Sequence, residues 1–334
     1  SKYVINLVKN IPGNRLAVGF VSEPEIEDHS LNDISFIRVP NLGRKISIFR
    51  DIKSWIELKE IVNELNPKVI HTHTFKAGLI GRLIPGNHKR VHTFHGHLFG
   101  DTSFSKFAKM MILIIEFFLA MRTDILISVG ENVGREIRLR GIGRNKIWHS
   151  IPPGIAIPQN FEKKFARIAL GINEKDLIIG WMARIEHVKN PMMLTKIARE
   201  LPELNFIMAG GGGLANEVIA KSPPNLKVIG WTKPELFLSA IDVALSTSEN
   251  EGMPIGLIEA QMLGVPVIAS DVGSTREVVI NNETGFIVDP SVQSFVKAIK
   301  ILSSNRDLLI DFGARASELA HSNFGVNKLI SAHT

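Results

Sequence analysis

Cysteine is absent from all 334 residues. That excludes a disulfide framework and a thiolate metal site, and it suits a reducing, cytoplasmic compartment. Long apolar runs are missing too. The longest, residues 110–121, is broken by Glu116 and falls short of the roughly 20 residues a membrane-spanning helix needs. No basic stripe interleaved with aromatic residues is found, and only 7% of residues are Phe, Trp or Tyr, so nucleic acid is not an expected partner.

What is present describes an ordinary globular chain, 45% hydrophobic and 22% charged, long enough for two domains. Charge is unevenly shared. Residues 1–157 carry 22 Lys and Arg against 14 Asp and Glu, a balance of +8, and residues 158–334 carry 17 against 19, a balance of −2. A basic first half points to an anionic partner, either a membrane surface or a lipid-phosphate acceptor, with scattered solvated cations as the alternative. The run 110–121 has two readings. It is chiefly a buried helix of the first domain, or a membrane-surface helix flanked by Lys106, Lys109 and Arg122.

Short apolar runs alternate with helical patterns throughout, which predicts an α/β protein with parallel sheets covered by helices. Strands are expected near 16–21, 35–39, 68–73, 90–94, 125–129 and 146–150, then near 177–182, 204–209, 226–230, 242–246, 266–270 and 285–288. Helices are expected near 2–10, 49–65, 76–84, 105–121 and 130–140. The stiff, turn-rich segment 151–158 divides the chain into domains 1–157 and 158–334. Two such domains facing one another would bind ligands at the carboxyl ends of their strands.

The segment 251–260 carries the most chemistry. Glu251 and Glu259 stand eight residues apart across Gly252, Met253 and Pro254, after an apolar strand. Proline fits the first turn of a helix, where its missing N–H is not needed. A helix from about 254 to 263 presents free amides and the positive end of its dipole to anions, phosphate above all. A phosphate cradle between two hydroxyl-binding carboxylates suits a sugar nucleotide. Upstream, Arg184 and Lys189 leave the carboxyl end of the strand 177–182. A guanidinium fork and an ammonium there can neutralise a diphosphate. The glycines Gly210, Gly211, Gly212 and Gly213 either let a ligand approach the backbone or make a tight crossing.

In these residues the chain resembles the retaining family-4 glycosyltransferases of GT-B fold (glycosyl transferases group 1). The resemblance rests on Gly180–Asn190, Phe206–Gly213, 251–260 and Gly264–Gly273, followed by Glu277 and Thr284-Gly285-Phe286. They occur in order over about a hundred residues. It implies two Rossmann-like domains facing across a cleft, an acceptor-binding first domain and a nucleotide-sugar-binding second one. It implies catalytic roles for Arg184, Lys189, Glu251 and His95, with His97 as the fallback for the strand-end histidine. Donor contacts are implied for Gly210, Gly211, Gly212, Val228, Ile229, Gly252, Met253, Pro254, Ile255, Gly256, Leu257 and Glu259. Glu259 would hold the ribose and Glu251 a hydroxyl of the transferred sugar.

The co-substrate is then a nucleotide-diphosphate sugar, with no cofactor and no metal. The Asp-x-Asp signature of the other glycosyltransferase fold is absent, and the histidines at 71, 73, 88, 92, 95 and 97 are read as strand ends rather than ligands. A lipid-linked or surface-glycan acceptor, handled peripherally at the inner face of the plasma membrane, completes the expectation. The family's first strand and glycine loop are not found before the helix 2–10, so a truncated amino terminus is also expected. A sugar-nucleotide 2-epimerase, or a donor-binding protein without turnover, are the competing functions.

Overall fold

The structure, a computed structural model, describes residues 2–19, 34–43, 47–96 and 105–334. The chain forms two compact units, with the break between Gly154 and Ile155 in the Pro-rich segment. Residues 326–334 belong to the first unit, whereas the sequence put everything after residue 157 in the second. The reason is local packing. Gly154, lacking a Cβ, lets Val326 and Leu329 come close. Asn6 Nδ2 donates to the Gly154 carbonyl at 2.6 Å, and the Tyr3 hydroxyl lies 3.3 Å from His333 Nε2.

The first unit runs α1 (Lys2–Asn10), β1 (Leu16–Gly19), β2 (Phe36–Val39), α2 (Ile48–Leu65), β3 (Val69–His73), α3 (Phe75–Arg82), β4 (Lys89–Phe94), α4 (Lys106–Met121), β5 (Ile125–Ser128), α5 (Glu131–Leu139) and β6 (Ile147–Ser150), and it regains the helix Val326–Ser331. Strands β3-β4-β5-β6 form one parallel sheet, while β1 and β2 form a separate parallel pair. Each expected strand and helix of this half is found, although positions 20 and 21 lie outside the described residues. The core gathers Phe94, Ala120, Leu126, Val133, Ile137 and Ile142.

The apolar run 110–121 becomes most of α4, and here one expectation is corrected. The helix is not chiefly core. It buries only a narrow face, Ile112, Glu116, Leu119 and Ala120, while Phe107, Met110, Ile114, Phe117, Phe118 and Met121 are exposed. With apolar residues on every side, hydrophobicity alone cannot set the helix's rotation. The single acid can. Glu116 accepts both bonds of a bidentate pair from Arg82 Nη2, at 2.9 and 2.8 Å, and Arg82 Nε donates to the Gly78 carbonyl at 2.9 Å. Both side chains are buried. Burial pushes the Glu116 carboxyl up, and the neighbouring guanidinium pulls it back.

The second unit continues with α6 (Lys163–Ala169), β7 (Ile178–Met182), a 3-10 turn (His187–Lys189), α7 (Pro191–Glu200), β8 (Asn205–Ala209), α8 (Ala215–Lys221), β9 (Leu226–Val228), α9 (Pro234–Ala240), β10 (Val243–Ser246), α10 (Ile255–Met262), β11 (Val267–Ser270), α11 (Thr275–Val278), β12 (Gly285–Val288), α12 (Val292–Ser304) and α13 (Arg306–Phe324). Its six strands are all parallel in the order β9-β8-β7-β10-β11-β12. That is the doubly wound order, whose strand sequence reverses between β7 and β10. Helices on both faces explain why β7, β8 and β11 read as nearly unbroken apolar runs. Trp181, Leu194, Ile197, Phe206, Met208, Phe295 and Phe312 anchor the core.

Removing one member of the Arg82–Glu116 pair leaves a buried charge without a partner. Glu116→Ala is expected to cost about 3–5 kcal/mol of stability, read as a lowered unfolding midpoint in urea. The double change Arg82→Met with Glu116→Leu is expected to recover most of that loss. An unchanged midpoint in Glu116→Ala would show that the pair does not set the seat of α4.

Candidate active site

At the point where the strand order reverses, the chains leaving β7 and β10 diverge, and a cavity of about 300 Å³ opens between them. Met182, Ala183, Arg184 and Lys189 wall it from the β7 side. Ser246, Ser248 and Glu251 wall it from the β10 side, and Met253 to Leu257 close it with the start of α10. Residues far apart in sequence meet here because β7 and β10 are paired in register, Ile179 with Val243 and Trp181 with Leu245.

A hydrogen-bonded chain ties the two loops together. Trp181 Nε1 donates to Thr247 Oγ1 at 3.0 Å. Thr247 in turn donates to the carbonyls of Lys189 and Asn190 at 3.0 and 2.9 Å. The Glu249 amide donates to the Val188 carbonyl at 2.9 Å. Lys189 Nζ then stands 2.6 Å from Glu251 Oε1, which also accepts from Ser248 Oγ at 2.6 Å. Arg184 is exposed on the cavity wall and has no ion-pair partner among the described residues. The site therefore holds two cations against one carboxylate.

The helix start differs slightly from expectation. Pro254 is the N-cap of α10 rather than a residue of its first turn, with φ −78° and ψ 92°. Leu257 donates back to the Pro254 carbonyl at 3.0 Å. Pro254 has no N–H, so the amides of Ile255 and Gly256 are the ones that remain for an anion. Gly273 sets Glu251 from behind. Its φ is +53°, and a Cβ there would overlap the Glu251 carbonyl oxygen. The Ser274 amide beside it donates to the Gly252 carbonyl at 3.2 Å.

Other expected donor residues lie off the cavity wall. Gly210, Gly211 and Gly212 pack against the loop after β7. A Cβ on Gly210 would overlap the Ala183 carbonyl, and the Ile185 amide donates to the Gly211 carbonyl at 2.9 Å. The tetraglycine thus supports the Arg184 loop directly. Val228 ends β9, and the Ile229 amide donates to Met208. Glu259 sits in the second turn of α10 and is 5% exposed. Sequence reasoning missed Thr247, Ser248 and Trp181. Their signal was the polar run Ser246-Thr247-Ser248 at the end of an apolar strand.

His95 belongs to the first unit, in a separate constellation at the carboxyl ends of β3 and β4. Its Nε2 lies 3.0 Å from His73 Nδ1, and Tyr3 meets its ring edge-on. His71 stacks beside His73 and His333, with its Nε2 2.7 Å from Thr93 Oγ1. Thr74, next in sequence to His73, holds φ +67° and ψ 158°, a backbone region costly for a β-branched residue. Among the described residues no three His, Asp or Glu are arranged to hold a metal. His97 lies outside the described residues. Burial holds His71 down to about 3 and His95 to about 4, and neighbouring imidazoles add to the effect at His71.

Two family models together span nearly the whole chain. "Glycosyltransferase Family 4" matches residues 1–157, and "Glycosyl transferases group 1" matches 162–319. The chain belongs to glycosyltransferase family 4. It is 29% identical over 308 residues to an Escherichia coli UDP-Gal:alpha-D-GlcNAc-diphosphoundecaprenol alpha-1,3-galactosyltransferase, covering 85% of this chain and 79% of that protein. The Staphylococcus aureus capsular polysaccharide biosynthesis glycosyltransferase CapM is 23% identical over 96% of this chain and 92% of its own length. Among solved structures, Anabaena HepE in complex with UDP and glucose has a TM-score of 0.84 at 18% identity, covering 99% and 93%. These neighbours support the GT-B fold, with each unit Rossmann-like.

The histidine constellation makes an acid-stability prediction. An unfolded imidazole takes up a proton near pH 6.5, and the folded His71 and His95 do not until about 3 and 4. The unfolded state therefore binds more protons between these values. Stability is expected to fall as pH drops from 6.5 toward 4, by up to about 1.4 kcal/mol per pH unit for each such histidine. Amide protection in β3 and β4 across that range measures it, and a flat profile would contradict the assignment.

Proposed function

We propose that this family-4 glycosyltransferase moves a sugar from a UDP-sugar to a lipid-linked diphosphate acceptor with retention of anomeric configuration. The single observation that carries the reading is the cavity at the β7–β10 reversal, which combines Arg184, Lys189, the amides of Ile255 and Gly256, and Glu251. The diphosphate is assigned to the two cations and the helix start, the ribose to Glu259, and a hydroxyl of the transferred sugar to Glu251. The choice of UDP is supported by the E. coli relative's stated donor and by the UDP in the HepE complex. The relative's undecaprenyl acceptor supports the lipid-linked class and a place at the cytoplasmic membrane face.

In this reading the acceptor hydroxyl approaches the anomeric carbon from the side of the departing diphosphate. The new C–O bond forms as the bond from that carbon to the phosphate oxygen breaks. The hydroxyl proton passes to the leaving phosphate oxygen, so no enzymic base is needed. Negative charge grows on the diphosphate, and Arg184, Lys189 and the two amides stabilise it where it grows. Lys189 already pairs with Glu251 at 2.6 Å in a largely shielded contact, so an arriving diphosphate competes with that carboxylate for the ammonium. The two cations supply the charge neutralisation a metal would otherwise provide, so the reaction is metal-independent.

The test is turnover of UDP-sugars on an undecaprenyl-diphosphate-linked sugar in EDTA, with the new linkage read by NMR. An α-linked product from an α-linked donor is expected, without added metal. An inverted linkage refutes retention, and recovery only with magnesium or manganese refutes metal independence. Release of a free epimerised sugar nucleotide would favour an epimerase instead. Donor binding with no product would mark a protein without turnover.

Arg184→Ala and Lys189→Ala are each expected to lower kcat by about 10²–10³ while the unfolding midpoint is kept. Near-parental kinetics in either purified variant would remove that residue from the diphosphate site.

A further inference from the structure

Ser246, Thr247 and Ser248 end β10 with three hydroxyls in a row. Thr247 ties the two loops together, but Ser248 has no such task. A serine that shapes a turn bonds back to nearby backbone. Among the described residues the Ser248 hydroxyl meets only side chains, Glu251 Oε1 at 2.6 Å and Ser246 Oγ at 3.3 Å. A carboxylate accepts hydrogen bonds and donates none. Ser248 therefore gives its single hydrogen to Glu251, and Ser246 is the donor in the longer contact. A separation of 2.6 Å is that of a charge-assisted bond from hydroxyl to carboxylate.

The same oxygen also takes the Lys189 ammonium, at 2.6 Å. Both bonds to Glu251 thus fall on Oε1, and Oε2 has no partner among the described residues. Glu251 lines the cavity together with Ser246 and Ser248, so Oε2 is the oxygen left for a ligand. The two holds on Oε1 differ in permanence. Lys189 reaches it with an ammonium on a flexible four-carbon stem, and Thr247 fixes only the Lys189 carbonyl. A diphosphate can draw that ammonium away while the Lys189 backbone stays in place. Ser248 is only 2% exposed. Its hydroxyl sits a single methylene from its own backbone and carries no charge for a phosphate to attract.

We propose that Ser248 is a positioning residue for recognition of the donor sugar. When the diphosphate takes Lys189, Ser248 keeps hold of Oε1 and so keeps the carboxylate turned with Oε2 toward a hydroxyl of the transferred sugar. Arrival of the diphosphate then readies the sugar contact instead of loosening it. This role rests on the donor assignment proposed above, and it concerns the sugar half of the donor alone. With UDP by itself, water fills the sugar space and solvates Glu251 whether or not Ser248 is present.

The experiment is calorimetry of the whole chain, without acceptor, using UDP, UDP-galactose and UDP-glucose. Ser248→Ala is expected to weaken whichever UDP-sugar the parent binds by about 10- to 100-fold, the loss of a hydrogen bond to a charged group, and to leave UDP within about twofold. Retained UDP binding shows that the variant is folded. In a Glu251→Ala background, Ser248→Ala is expected to add no further loss, because the two residues act as a unit. A serine that merely shaped the loop would weaken UDP and UDP-sugar alike, and its loss would add to that of Glu251→Ala. Either result, or a Ser248→Ala variant that binds the UDP-sugar like the parent, overturns the role of Ser248 and leaves the donor reading intact. A parent that binds none of the three ligands overturns the donor reading and this role together. One that binds UDP alone overturns the sugar contact at Glu251.

Discussion

The parallel pairing of β7 with β10 is the constraint from which the candidate site follows. It joins two strands about sixty residues apart in sequence. The helices that follow them cover opposite faces of a doubly wound sheet, so the loops beyond the two strands part and leave a cavity. Trp181 and Thr247 convert that topology into a defined geometry. Their hydrogen bond anchors the carbonyls of Lys189 and Asn190, which brings the Lys189 ammonium to the Glu251 carboxylate. Without the in-register pairing, Arg184, Lys189, Glu251 and the start of α10 would be four unrelated surface features.

Backbone freedom is concentrated around the same cavity. Gly273 and Gly210 each occupy positions where a Cβ would strike a carbonyl of the opposing loop, Glu251 in one case and Ala183 in the other. Glycine there buys close approach between loops. The tetraglycine segment thus supports the Arg184 loop directly.

The two units use buried polar groups differently. In the second, the polar chain from Trp181 to Lys189 positions groups that face the cavity. In the first, Arg82 and Glu116 are sealed from solvent and decide how an almost wholly apolar helix is rotated. The histidine constellation is a third case. Tyr3, His71, His73, His95 and His333 come from α1, the β3 and β4 ends and the carboxyl terminus, and burial keeps its imidazoles neutral.

Much was legible in the sequence because it depends on neighbours along the chain. Apolar runs of strand length alternating with helical patterns determined the two α/β halves. Proline and glycine at 151–158 marked the break between units, and the order of Arg184, Lys189, Glu251 and Glu259 marked the family. Other features needed the tertiary structure. The return of residues 326–334 to the first unit depends on Gly154 admitting Leu329. The exclusion of Leu257 from the free amides depends on a turn that uses its N–H internally. The face α4 buries could not be read from hydrophobicity, because apolar residues surround it. It was decided by the one carboxylate on that helix, which had to find a guanidinium 34 residues away before it could leave water.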